Sequence, residues 1–136
     1  MAQMLLLVGV SIFGILGTVH LIYTFFTDKF SPYDPLVADA MKSTSPRLTK
    51  QTTVWRAWIG FNASHSLGAM LLAAVYIPLL VMHFNIVQNS LWFSALPALL
   101  GCAYFMLARK YWFKIPFVGI SIALMCFIAA ALLINL

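Results

Sequence analysis

The chain contains no glutamate, and its only acids are Asp28, Asp34 and Asp39. Charged residues make up 8% of its 136 positions, against about 25% in an ordinary soluble domain. Water does not solvate a surface that poor in charge. With 63% hydrophobic residues and a mean hydropathy of +0.98, the chain reads as a small single-domain integral membrane protein. Cysteine is scarce as well. Cys102 and Cys126 sit far apart in apolar runs, which excludes zinc ribbons and CxxC redox motifs and leaves two small buried hydrophobes. No basic stretch precedes the first apolar run. That run continues to Phe26, past signal-peptide length, and is expected to be retained as a span. Neither a repeat nor a low-complexity tract is present.

What the chain does have is four apolar runs long enough to cross a bilayer, which takes about 20 residues. They cover Met4 to Phe26, Val54 to Val81, Ser90 to Ala108 and Pro116 to Ile134. A membrane β-barrel would instead show many alternating segments of about ten residues. The expected fold is therefore all-α, with four transmembrane helices in an antiparallel bundle. Pro78 and Pro97 fall inside spans two and three, where membrane helices tolerate a bend.

The net charge of +5 comes from eight Lys and Arg. Between apolar runs these mark loops beside anionic lipid rather than a nucleic-acid surface. Lys29, Lys42, Arg47, Lys50 and Arg56 lie in or beside the first connection, and Arg109, Lys110 and Lys114 in the third. The positive-inside rule then predicts that these connections are cytoplasmic, in an inner or plasma membrane, and that both termini face outward. Trp92 and Trp112 fall at span ends, where interfacial aromatics belong.

The first connection, 27–53, is the only sizeable polar segment. Its "SPYDP" stops the first helix, and Asp34–Pro35 reads as an N-cap followed by proline at the first helical position. Leu36, Val37, Ala40 and Met41 would share one apolar side of a short helix along the membrane interface. Thr49, Thr52 and Thr53 offer caps for the second span.

That second span carries "GFNASHSLG", Gly60 to Gly68. At 100° per residue it divides into two stripes. Gly60, Ser64 and Gly68 form a small-residue stripe that lets a neighbouring helix approach closely, and span one has its own small residues in Gly9, Gly14 and Gly17. Trp58, Asn62 and His65 share the adjacent face, with Trp55 at its margin. Asn and His are costly in hydrocarbon unless partnered. His20 of span one is a candidate partner, about 9 Å below the membrane edge if the span ends at Phe26, and His65 lies at a similar depth.

Three readings of this stripe stand open. Asn62 and His65 can hold spans one and two in register. They can form, with His20 and Arg56, a site for a lipophilic ligand with one polar end, such as a quinone, a sterol or another lipid, with Trp55, Trp58 and Tyr23 at its mouth. Or His20 and His65 can ligate a cofactor, as the axial pair of a haem b. No membrane-embedded carboxylate is available for another metal centre, and Ser64 and Ser66 have none for a Ser-His-Asp arrangement.

In length, four spans, outward termini, a long first connection and a basic third one, the chain resembles the membrane-associated eicosanoid and glutathione enzymes. The resemblance would give Arg56 and Asn62 of span two, and Arg109 and Tyr111 of span three, roles in an enzyme acting on a lipophilic substrate. His65 stands where that family has an acid, and the spacing from Arg56 to Asn62 differs from the family's. Small multidrug transporters also have four spans, but they rely on a carboxylate in span one that is missing here. The expected role is a helical-bundle subunit or accessory protein of a membrane complex, in contact with lipids and with other subunits or itself. A membrane enzyme is the alternative.

Overall fold

The computed structural model describes residues 1–136, and every element in it is a helix. In chain order they are α1 (Ala2–Phe26), α2 (Pro35–Ser43), α3 (Val54–Met82), α4 (Phe84–Gln88), α5 (Leu91–Tyr111) and α6 (Lys114–Asn135). Four of them, α1, α3, α5 and α6, are long and apolar enough to cross a membrane. A helix is what these runs must form in lipid, because it satisfies every backbone N–H and C=O within the segment.

The ends follow local chemistry. Thr27 returns its hydroxyl to the Tyr23 carbonyl at 2.9 Å as α1 stops. Asp34 caps α2 by accepting the Leu36 N–H at 2.9 Å, with Pro35 at the first helical position. Thr53 accepts the Arg56 N–H at 3.2 Å at the start of α3, and Ser90 caps α5. Pro78 and Pro97 lie inside α3 and α5. One boundary differs from the sequence expectation. Arg109, Lys110 and Tyr111 continue α5 rather than forming a loop, so only Trp112 and Phe113 separate α5 from α6. Charge ends a hydropathy signal but not a helix, since long basic side chains reach outward from a membrane helix end.

The chain divides into two compact units, Met1–Leu16 with Ala69–Leu136, and Gly17–Gly68. In the first, the core gathers Leu6, Val10 and Phe13 of α1, Tyr76 and Leu80 of α3, Val87 of α4, and Ile120, Ala123 and Phe127 of α6. Phe127 is its pivot. A Cβ added at Gly9 would overlap the Phe127 ring, and one at Gly101 would lie 3.1 Å from it. The ring thus occupies room left by one glycine of α1 and one of α5. Phe13 meets this ring at 5.7 Å and the Tyr104 ring edge-on at 5.2 Å. Gly14 plays a similar part, because a Cβ there would stand 2.8 Å from that of Ala73.

Polar groups of this unit pair among themselves. Gln3 donates to the Leu80 carbonyl at 2.7 Å, and Tyr76 to that of Phe93 at 3.0 Å. Asn135, near the end of α6, donates to the Ser94 hydroxyl, near the start of α5, at 2.9 Å. The short junction at one end and this bond at the other make α5 and α6 a hairpin.

In the second unit, the Val54 N–H donates to the Thr44 carbonyl at 2.9 Å, which ties the end of α2 to the start of α3. The small stripe departs from expectation here. Gly60, Ser64 and Gly68 are exposed, and a Cβ at Gly60 would meet nothing within 4 Å. Ser64 needs no partner there, because its hydroxyl donates back to the Gly60 carbonyl at 2.6 Å. Gly14 comes close to α3 at Ala73, not at this stripe, and Gly17 is buried.

Candidate functional site

The polar residues of 17–68 converge on His20. The Asn62 amide Nδ2 donates to the Trp58 carbonyl one turn earlier at 2.8 Å. That bond orients the amide and turns Oδ1 toward His20, whose Nε2 lies 3.0 Å away. Since Oδ1 can only accept, His20 carries its proton on Nε2 and donates it. In the neutral ring Nδ1 is then the acceptor. The His65 ring lies beside that of His20, centroids 5.5 Å apart and tilted by 58°. The sequence-predicted trio of His20, Asn62 and His65 is therefore a contiguous cluster.

Buried hydroxyls back it without joining it. Thr24 donates to the His20 carbonyl at 2.8 Å, and Ser66 to the Asn62 carbonyl at 2.9 Å. Every buried side-chain N and O atom of the chain has a partner, as low-dielectric surroundings require. Neither Ser64 nor Ser66 is poised as a nucleophile, because each hydroxyl is turned onto its own helix.

The cluster is covered by a residue that the sequence did not single out. The Phe30 ring lies on the His20 ring, centroids 4.4 Å apart. Its backbone is held there because the Trp58 indole Nε1–H donates to the Phe30 carbonyl at 3.0 Å. On the outer side, Phe30 and Trp58 line an open pocket of about 400 Å³, together with Lys29, Ser31, Pro32 and Met41. Of the residues expected at the mouth, Trp58 lines this pocket and Trp55, Tyr23 and Arg56 do not. Lys42 stands over the Trp55 ring at 5.7 Å instead, and Arg56 is exposed. The connection folds back over α3, so its own residues 29–32 take the places expected of Trp55 and Arg56. The "SPYDP" prolines were the one hint of such a turn.

A haem b held between His20 and His65 does not fit this arrangement. Axial ligands point one nitrogen each at an iron between them, across a flat ring. Here the two imidazoles are in direct contact, and the His20 Nε2 is committed to Asn62. No group of three or more His, Cys, Asp or Glu comes together elsewhere. The groups present suit hydrogen bonding to a polar head beside an apolar wall.

Comparison with protein-family models, curated proteins and solved structures returns no match. The likeness to the membrane-associated eicosanoid and glutathione enzymes thus rests on architecture alone.

The His20–Asn62 bond has a measurable signature. Interhelical hydrogen bonds in membrane proteins average about 0.6 kcal/mol. A double-mutant cycle of His20→Ala and Asn62→Ala, read by thermal unfolding in detergent, should give a coupling of about that size. Strict additivity of the two substitutions would show that the bond is not formed in the membrane protein.

Proposed function

We propose that this chain is a small integral membrane protein that binds a lipophilic ligand with one polar end, at the end of the molecule where α1 stops and α3 begins. One observation carries the reading. Phe30 and Trp58 are shared between the polar cluster and the pocket, so an apolar wall and a hydrogen-bonding interior adjoin at a single place. Membrane ligand sites combine such a mostly apolar lining with a few polar groups that fix orientation. The depression is open to its surroundings, so it would hold the end of a ligand and leave the remainder outside. Native mass spectrometry of the full-length protein, purified in mild detergent, should show one tightly retained lipophile per chain. Protein that carries none, and takes up none from added membrane lipid, would overturn the proposal.

In this reading the pocket faces the cytoplasm and both termini lie on the opposite side. The eight Lys and Arg support that orientation. All of them fall in the α1–α3 connection, the first turn of α3, the last turn of α5 or the first turn of α6. Single cysteines test it in a background with Cys102→Ser and Cys126→Ser. A membrane-impermeant maleimide applied to intact cells should label Gln88→Cys, and Lys50→Cys only after permeabilisation. The reverse pattern would invert the topology.

A further inference from the structure

We propose that the ligand is anionic at its polar end, a phosphodiester-headed membrane lipid whose head rests on Lys29 and Ser31 and whose glycerol and upper acyl region lie against Phe30, Pro32, Met41 and Trp58. This inference rests on the reading of the pocket as a lipophile site and adds the charge of the occupant.

Three observations carry it. The pocket has polar and apolar groups in one lining. Lys29 supplies its only formal charge, Ser31 a hydroxyl, and Phe30, Pro32, Met41 and Trp58 an apolar wall. Lys29 is exposed and has no ion pair within the chain, although Asp28 is its neighbour in sequence. The surrounding field has the same sign. Lys42, Arg47, Lys50 and Arg56 are exposed in the same unit, against Asp28, Asp34 and Asp39. One carboxylate oxygen of Asp34 is already engaged by the Leu36 N–H. An ammonium attracts a phosphate head strongly where an apolar wall keeps part of the solvent away. Trp58 belongs at that level, because an indole prefers the boundary between headgroup and acyl chain.

His20 does not receive this head. Its face is covered by Phe30 and its Nε2 is bonded to Asn62. The cluster instead sets the position of α3, and with it Trp58, whose carbonyl accepts from Asn62 and whose indole holds the Phe30 carbonyl. The site is therefore a surface pocket with a rigid polar backing, and the acyl chains of its occupant remain in the bilayer.

The test uses the delipidated full-length protein in neutral detergent. It is titrated separately with dioleoylphosphatidylglycerol and dioleoylphosphatidylcholine, and each bound lipid is counted by native mass spectrometry. Phosphatidylglycerol should bind about fivefold tighter than phosphatidylcholine at one site, the effect of a single basic residue near an anionic surface. Lys29→Gln should abolish the preference for phosphatidylglycerol over phosphatidylcholine, and Lys29→Arg should keep it. Inorganic phosphate at millimolar concentration should not compete. Competition by phosphate would make this a free-phosphate site and overturn the lipid assignment. A phosphatidylglycerol preference that survives Lys29→Gln would place the head elsewhere and overturn the proposal. Equal binding of both lipids to the unmodified protein would refute the anionic head while leaving the lipophile site intact. Binding of neither lipid would refute the lipophile site itself.

Discussion

Phe127→Ala should be the most damaging single substitution in this protein. The ring is fully buried and occupies the space left by Gly9 and Gly101, with Phe13 packed beside it. Neither glycine can fill the hole from its own side chain, and the apolar site holds no polar group to recruit water. In a membrane, transfer from water does not drive helix association, so the loss is one of packing contacts. Phe→Ala changes in well-packed cores cost about 3–5 kcal/mol, and a site that cannot collapse belongs toward the upper end. The measurement is the midpoint of thermal unfolding in a fixed detergent. The complementary change, Gly9→Val, drives a side chain into the ring and should cost about 1–3 kcal/mol through overpacking. Unaltered melting of Phe127→Ala would mean that α1, α5 and α6 do not meet around this ring.

The second large effect is on binding. Trp58→Leu removes the indole N–H that fixes the Phe30 carbonyl and the largest side chain lining the pocket. Aromatic anchors of this kind dominate binding sites, and losing one typically costs 1–2 kcal/mol or more, about tenfold in affinity. Lipid retention in native mass spectrometry should fall by that factor. Stability should change little, because Trp58 is 41% exposed. Trp58→Phe separates the two contributions. It keeps the wall and deletes the donor, so partial retention is expected, with Phe30 freed from its tie. Full retention in both variants would remove Trp58 from the site.

Much of this fold is legible in the residues because lipid leaves few choices. Uninterrupted apolar runs of span length can only be helices, and the observed α1, α3, α5 and α6 begin and end close to the runs themselves. Asp34–Pro35 announces α2 by a mechanism that works locally, through one carboxylate and one fixed φ. The pairing of His20 with Asn62 is legible because isolated polar groups in hydrocarbon must find each other. The rest depends on which side of a helix is covered, and a period of 3.6 says only that sides exist. Gly60, Ser64 and Gly68 carry the pattern of a packed face, yet Gly60 lies open, whereas Gly9, one of the small residues of span one, and Gly101, which belongs to no stripe, make room for the Phe127 ring. Phe30 and Lys29 were invisible for another reason. Their place is decided by the path of a connection, and a single bond from Trp58, 28 positions away, sets it.

The hairpin of α5 and α6 has a consequence for biogenesis. Its helices are separated by two residues, Trp112 and Phe113, and clasped at the far end by Ser94 and Asn135. A junction that short brings no hydrophilic domain to be carried across. Arg109, Lys110 and Lys114 cluster at the bend. The bend is short enough for α5 and α6 to enter a membrane as one folded-back unit. The Ser94–Asn135 bond closes the open end of that pair, so the two helices are joined at both ends.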